Sequence, residues 1–318
     1  MLSAEQRCQF DQQGFLRVRD VLEPATYLDP IVEEYSVLLD ELAISLLESG
    51  QISSRHADLD FRSRMTKIYA ETGQTFAQYF NLSLPLTGVQ EDTPFWTGAA
   101  IFNLIKAPAL LDVVESVIGS EIASNPIQHV RIKPPEKYLA EAQRASGLSG
   151  ATPWHQDAAV ISPDSGTELI TVWVPINDVS AETGCLQFME GGHKMGLMSH
   201  GFGPVDGLAL RAEIAGDQPH VSAVPARRGD IVLIHRHCPH ASLPNTSELL
   251  RFSLDLRYHP AHQNSGRNVM PSFIARIRRE PSRELNDAAV WKRMWTETRH
   301  WLATSSKAPT QAYEWLSG

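Results

Sequence analysis

Cysteine is scarce. Cys8, Cys185 and Cys238 are the three in the chain; they lie far apart and form no CxxC pair. That argues against a disulfide framework and a zinc ribbon and fits a reducing, cytoplasmic setting. No window approaches the ~18 uninterrupted apolar residues of a membrane-spanning helix. The opening MLSAEQRCQFDQQGF has no basic stretch leading into an apolar run, so no signal peptide is expected. Positive charge is also in short supply: 28 Lys and Arg stand against 37 Asp and Glu, a net charge of −9. A chain without a basic excess is a poor partner for nucleic acid or an anionic membrane surface. No internal repeat and no low-complexity tract is present. What remains is the composition of a soluble globular protein, 42% hydrophobic and 20% charged over 318 residues. That length leaves ample room for a sizeable core.

The chain changes character near residue 120. Before it, helical signals dominate. Ser3 followed by Gln6 forms a capping-box pattern. Ile31, Tyr35, Leu38, Leu39 and Leu42 recur at helical spacing, with Gly50 placed to end that helix. Residues 57–82 continue the helical region, and APALLDVVESVIG (107–119) is a further short helix. After residue 120 the expected strands are 127–133, 154–160, 168–176, 185–189, 230–235 and 251–258, separated by Gly, Pro, Asp and Asn turns. The end of the chain, ELNDAAVWKRMWTETRHWLAT, returns to helix. Helices first and short strands after imply a mostly β core with a helical buttress, an α+β arrangement, not an alternating α/β sheet. One domain is expected, with a helical buttress over 1–120, a β core over 121–260 and a C-terminal loop and helix over 261–318. The irregular stretches 137–151 and 193–220 have the length of lids or binding loops.

The stretch TPWHQDAAV (152–160) raises the question of function. Read as a strand, it points His155 and Asp157 to the same side, because side chains two apart share a face. An imidazole and a carboxylate meeting there are an ion pair or two ligands of one metal. A third ligand is available in GDIVLIHRHCPHASLPN (229–245), which carries His235, His237 and His240. Two histidines and one carboxylate with open positions form the donor set of non-haem Fe(II) oxygenases. Further on, Arg251 follows His240 by eleven residues, and RFSLDLRYHP points Arg251, Ser253, Asp255 and Arg257 to one face.

WHQD, then GCLQFMEGGHK, then GDIVLIH followed by PHASLPNTSELLR together resemble the phytanoyl-CoA dioxygenase family of Fe(II)/2-oxoglutarate oxygenases. The resemblance runs over roughly residues 5–260 and is most specific across 153–258. It implies a double-stranded β-helix, a jelly-roll or cupin-like barrel. It implies Fe(II), with 2-oxoglutarate and O2 as cosubstrates, and hydroxylation or another C–H oxidation of a small metabolite, with release of succinate and CO2. His155, Asp157 and His240 would be the metal ligands and the catalytic centre. Arg251 would pair with the distal carboxylate of 2-oxoglutarate, assisted by Ser242. Trp173, Thr171 and His129 would contribute to the cosubstrate site. Family members that halogenate replace the metal-binding acid with a small residue; Asp157 is intact, which favours hydroxylation.

Substrate contacts are expected from Arg131, from Arg257 as an anchor for an anionic group or as a partner of Asp255, and from Met198 and Phe202 in an apolar lid. No basic cluster suited to nucleotide phosphates is evident, so a small secondary metabolite is a better expectation than an acyl-CoA. Where the family often has a Gly-Ser-His turn, this chain has Gly191, Gly192 and His193, so His193 reads as a turn residue. Two rival readings give less to the same residues. A cupin-type iron oxygenase without 2-oxoglutarate leaves Arg251 with no role, and a non-catalytic small-molecule-binding barrel has no need of the intact triad.

Overall fold

The computed structural model of the chain describes residues 1–144, 150–161, 165–202, 208–210 and 220–309. Eight helices and twelve strands are named within them. The helices are α1 (Ala4–Gln13), α2 (Pro24–Tyr27), α3 (Asp29–Glu48), α4 (Phe61–Thr72), α5 (Ala99–Ile105), α6 (Pro108–Ile118), α7 (Glu141–Arg144) and α8 (Ala288–Thr304). The strands are β1 (Phe15–Val18), β2 (Glu121–Ser124), β3 (His129–Lys133), β4 (Ile170–Pro175), β5 (Leu186–Met189), β6 (His200–Phe202), β7 (Leu208–Leu210), β8 (Val221–Val224), β9 (Ile231–His235), β10 (His240–Ser242), β11 (Arg251–Pro260) and β12 (Phe273–Ile277).

Local chemistry explains the elements. Ser3 caps α1 in a full capping box with Gln6, and Gly14, at φ 83°, ends it in the left-handed conformation that glycine takes without strain. Helix α3 buries Ile31, Tyr35, Leu38, Leu39 and Leu42, the stripe its periodicity predicts. The 57–82 region is helical over α4 alone, which Asp60 caps and Gly73 terminates.

The strands form a seven-stranded antiparallel sheet, a three-stranded sheet ordered β10-β5-β8, and the β6–β7 hairpin. In the large sheet β1, β9, β4 and β11 are neighbours; the far edge of β11 pairs first with β3 and then with β2, and β12 follows β2. Two of these strands lie outside the expected 121–260 core. The four-residue β1 runs against β9 from within the N-terminal helical region, and β12 extends the sheet beyond β2.

Alternation along the strands decides what each face of the large sheet does. Leu16, Val172, Leu233, Phe252, Leu254 and Leu256 point to the helical layer and merge with the buried residues of α3 to α6 and α8. Phe15, Trp173, Val232 and Ile234 point the other way, toward Leu186 and Phe188 of the small sheet. Strand β11 shows both faces at once. Phe252, Leu254, Leu256 and Tyr258 belong to the core, while the intervening Arg251, Ser253, Asp255 and Arg257 face the space between the sheets. The polar face of this strand is thus enclosed instead of solvated.

One expected strand is absent. Residues 154–160 are not an extended strand: His155 makes a single β-bridge to His240, and Asp157–Val160 turn into a 3-10 helix. Short residues (Ala158, Ala159) permit the turn, and the Ala158 N–H donates to the carbonyl of Arg236 at 2.8 Å.

Leu233, fully buried, sits on β9 between Leu16 of β1 and Val172 of β4. Leu233→Ala is expected to cost about 2–5 kcal/mol, the range for opening a cavity in a core that cannot collapse. Urea unfolding checks this as a lowered midpoint with an unchanged slope.

Candidate metal centre

The bridge between β10 and the 152–158 segment brings the site together. His155 N–H donates to the His240 carbonyl and His240 N–H to the His155 carbonyl, both at 3.0 Å. The two imidazoles therefore lie side by side, their ring centroids 4.2 Å apart. Each ring is fixed in the same way. His155 Nδ1 hydrogen-bonds the Pro153 carbonyl at 2.9 Å and His240 Nδ1 the Cys238 carbonyl at 3.0 Å. A carbonyl can only accept, so Nδ1 carries the proton in both and each Nε2 keeps its lone pair.

Asp157 closes the set. Its Oδ1 is 3.9 Å from His155 Nε2 and its Oδ2 is 4.0 Å from His240 Nε2. These separations are too long for hydrogen bonds. They suit three donors around one ion, since two bonds of about 2 Å span up to about 4 Å. The three ligand atoms all lie within 4.8 Å of one another and all three residues are buried. Among the described residues no other three His, Cys, Asp or Glu side chains come together this closely.

Protonation states match that use. Burial foremost, then the neighbouring His240, pushes the His155 imidazole down to about 3, with Asp157 opposing. A neutral imidazole is a ligand; an imidazolium is not. Burial by itself raises the Asp157 carboxyl, but Arg257, His240, His155 and the Thr171 hydroxyl outweigh it and hold it below the usual carboxylate range. The carboxylate is held at both oxygens. Arg257 Nη2 donates to Oδ1 and Thr171 Oγ1 to Oδ2, each at 2.6 Å. Each oxygen retains a lone pair for a metal after accepting one hydrogen bond.

The triad opens on a narrow pocket whose wall includes Trp173, Leu186 and Ile234 on the apolar side. Arg131, Arg251, Asp255 and Arg257 supply its charges. Arg251 is 1% exposed and donates through Nη1 to the Gly184 carbonyl at 2.5 Å. Its Nε, also buried, has no hydrogen-bond partner among the described residues. An arginine buried beside a metal-type donor set, with an N–H unanswered, fits an anionic ligand. Gly184 has φ 83°, and a Cβ there would come within 2.7 Å of the Leu243 carbonyl, so this turn requires glycine.

The remaining expected site residues fall in different places. Thr171 lines the cavity, and its hydroxyl donates to Asp157. Arg257 is neither an open anchor nor a partner of Asp255 at hydrogen-bond distance: it holds Asp157, and its Nη1 donates to the Ile127 carbonyl at 3.0 Å. The partner of Asp255 is Arg131, at 2.8 Å. The sequence signal for both pairs was incomplete: the shared face along β11 is readable, the facing strand is not. Ser242 is buried and accepts from the Thr152 N–H at 2.8 Å, just behind the cavity wall. His129 is half-buried, 3.4 Å from Asn81 Nδ2, and does not line the cavity. Met198 is half-buried and its N–H donates to Gln156 Oε1 at 2.7 Å, away from the cavity lining. Phe202 ends β6, and its side chain lies outside the described residues. His235 and His237 stand apart from the triad, the His235 ring 5.0 Å from that of His193.

The model of the phytanoyl-CoA dioxygenase family matches residues 10–253. A 1-deoxypentalenic acid 11-beta-hydroxylase from Streptomyces arenae is 30% identical over 178 residues, covering 53% of this chain and 60% of that protein. The chain thus spans less than two thirds of that relative's length. Among solved structures, the apo non-heme monooxygenase ThoJ superposes with a TM-score of 0.54 at 17% identity, over 92% of this chain and 95% of that one. EvdO2 from Micromonospora carbonacea var. aurantiaca complexed with 2-oxoglutarate superposes with a TM-score of 0.53 at 18% identity, over 82% and 92%. The likeness to these structures is one of fold, the double-stranded β-helix.

The Asp255–Arg131 pair predicts a pH dependence of stability. Burial raises the Asp255 carboxyl, but Arg131, Arg257 and His129 outweigh it and bring it from 3.8 down to about 2. The folded state thus binds the proton less readily than the unfolded chain. The contribution is complete above pH 4 and disappears as pH falls from about 4 to about 2. Denaturant unfolding between pH 2 and 6 should show this loss in the wild type and a shallower slope in Asp255→Asn.

Proposed function

The chain belongs to the phytanoyl-CoA dioxygenase family, and from that premise we propose that it is an Fe(II)- and 2-oxoglutarate-dependent oxygenase that hydroxylates a small metabolite, with release of succinate and CO2. One observation carries the reading: two imidazole lone pairs and a buried carboxylate converge in the same cavity as a buried arginine with an unanswered N–H. The first half of that constellation suits a divalent metal and the second suits a carboxylate. A barrel that only bound a neutral small molecule would need neither.

In this reading His155, Asp157 and His240 are the residues that would hold the iron. Bound iron supplies the activation of O2 and the one-electron chemistry that no side chain provides. The rest is the work of the chain. Arg257 and Thr171 hold the Asp157 carboxylate in one orientation, so the ligand set is built before metal arrives. The Nδ1 hydrogen bonds to Pro153 and Cys238 do the same for the two rings. Arg251 receives the distal carboxylate of 2-oxoglutarate, its planar fork fixing the direction as well as the position of that end. Trp173, Leu186 and Ile234 keep water from that side of the cavity.

The name of the Streptomyces arenae relative supports a substrate of modest size bearing an acid group. Among the described residues no helix is long and apolar enough to cross a membrane. A cupin-type oxygenase that dispenses with 2-oxoglutarate is the rival, and Arg251 separates the two.

Anaerobic addition of Fe(II) and then 2-oxoglutarate should produce a weak visible charge-transfer band. His155→Ala, Asp157→Ala and His240→Ala should each abolish it and turnover, whereas His235→Ala and His237→Ala should retain iron binding. Arg251→Leu leaves a carboxylate facing an apolar wall. Breaking a buried charge pair costs about 3–5 kcal/mol, so 2-oxoglutarate affinity should fall roughly 10²- to 10³-fold or more, with Fe(II) affinity little changed. Isothermal titration decides it, and equal 2-oxoglutarate binding by both proteins would remove the role assigned to this arginine.

A further inference from the structure

His155 and Asp157 point to one side although no strand holds them there. The two-way bridge to β10 ends at His155, and the chain turns into 3-10 helix from Asp157. Gln156, between them, is nonetheless extended, at φ −121° and ψ 136°. An extended residue puts its two neighbours on a common face and its own side chain on the other. The angle between the two ligands is therefore set at residue 156, and what keeps that residue extended lies behind the site.

Gln156 is fully buried and bonded at every polar group. Its Nε2 donates to the His237 carbonyl at 2.6 Å and to the Gly196 carbonyl at 2.8 Å. Its Oε1 accepts from the Met198 N–H at 2.7 Å. Its backbone carbonyl accepts from the Ala159 N–H at 3.0 Å, and its backbone N–H donates to His200 Nε2 at 3.0 Å. A backbone N–H can only donate, so His200 Nε2 keeps its lone pair and Nδ1 carries the proton, donating it to the Met198 carbonyl at 2.8 Å. His200 is buried as well. Three stretches distant in sequence thus meet at one residue: the ligand segment 155–157, the segment 196–200, and the turn before β10 that contains His237. A carboxamide suits that junction because it offers two N–H donors and an acceptor in one plane.

We propose that Gln156 is a positioning residue for the metal. Braced by Gly196, Met198, His200 and His237, it fixes the angle at which His155 and Asp157 present their donor atoms. Without the brace, residue 156 must be ordered at the moment of metal binding, and affinity falls by that entropy. The proposal rests on the metal reading of the triad and adds that the segment 196–200, which supplies no ligand, takes part in shaping the centre.

The test uses Co(II) as the probe metal, without 2-oxoglutarate. Isothermal titration gives its affinity, and its visible ligand-field absorption reports the geometry of its ligands. Gln156→Met keeps the length of the side chain and removes its hydrogen bonds. The Co(II) Kd should rise about 10- to 100-fold, the range for groups that orient metal ligands, and the ligand-field band should shift. Leu233→Ala is the control: it weakens the fold from the helical face of the sheet and should leave Kd and band at their wild-type values. An unchanged Kd in Gln156→Met would overturn the proposal. So would an unchanged band, which would mean that Gln156 only supports the fold. If Gln156→Met does not fold, His200→Leu takes its place. That variant removes the acceptor of the Gln156 N–H from outside the ligand segment, and the same two readings decide. A wild-type protein that binds no Co(II) would overturn the metal reading itself, a result distinct from a failure at Gln156 alone.

Discussion

The pair of backbone hydrogen bonds between His155 and His240 is the contact on which the site depends. It joins a segment of irregular chain to the edge strand of the small sheet, 85 residues further along the chain. Three other bonds reinforce it: Ser242 N–H to the Thr152 carbonyl, Ala158 N–H to the Arg236 carbonyl, and Gln156 Nε2 to the His237 carbonyl. Each is an ordinary hydrogen bond, worth on the order of 1 kcal/mol net. Together they fix one register, and a β register cannot slip by one residue without turning its side chains to the other face. The closeness of the two imidazoles is thus a consequence of main-chain pairing, and side-chain bonds to carbonyls only set their tilt and tautomer.

That pairing is tolerable only because the surrounding sheet is strong. The helical face of the large sheet carries the apolar core, while the other face holds the buried Arg251, Arg257 and Lys133 and the half-buried Asp255. Burying charges opposes folding unless each is matched. Asp157 and Asp255 are matched by Arg257 and Arg131 across strands. Arg251 and Lys133 have no such carboxylate among the described residues, and they face each other across β11 and β3. The interior is therefore least matched in charge where β3 and β11 bring Lys133 and Arg251 together. A binding site is in this sense a place where folding left a charge unanswered, supported by apolar packing elsewhere.

Several features were legible in the sequence for local reasons. The stripe of α3, the capping box of α1 and the alternation along β11 each depend on residues within a few positions of one another. The short strands β1 and β12 were not legible: four or five residues carry too little periodic signal, and both become strands by adding to edges supplied by β9 and β2. The misreading of 154–160 has the same origin. An apolar, short-side-chain run resembles a buried strand, but a single bridge and the Ala158 bond to Arg236 turn it into 3-10 helix after Asp157. His155 and Asp157 converge nonetheless, for a reason other than strand alternation.

The roles of the charged residues divide along the same line. Sequence alone determined which donors were available, that Asp157 was present, and that Arg251, Asp255 and Arg257 share a face, because residue type and period-two alternation are properties of the chain itself. Which partner each would meet was decided by tertiary structure. Arg257 faces Asp157 from 100 residues away, Arg131 takes Asp255, Thr171 turns to the carboxylate, and Lys133 comes to rest under Ser242. Those pairings follow from strand order and register in two facing sheets, which depend on contacts between distant segments and leave no mark within any one of them.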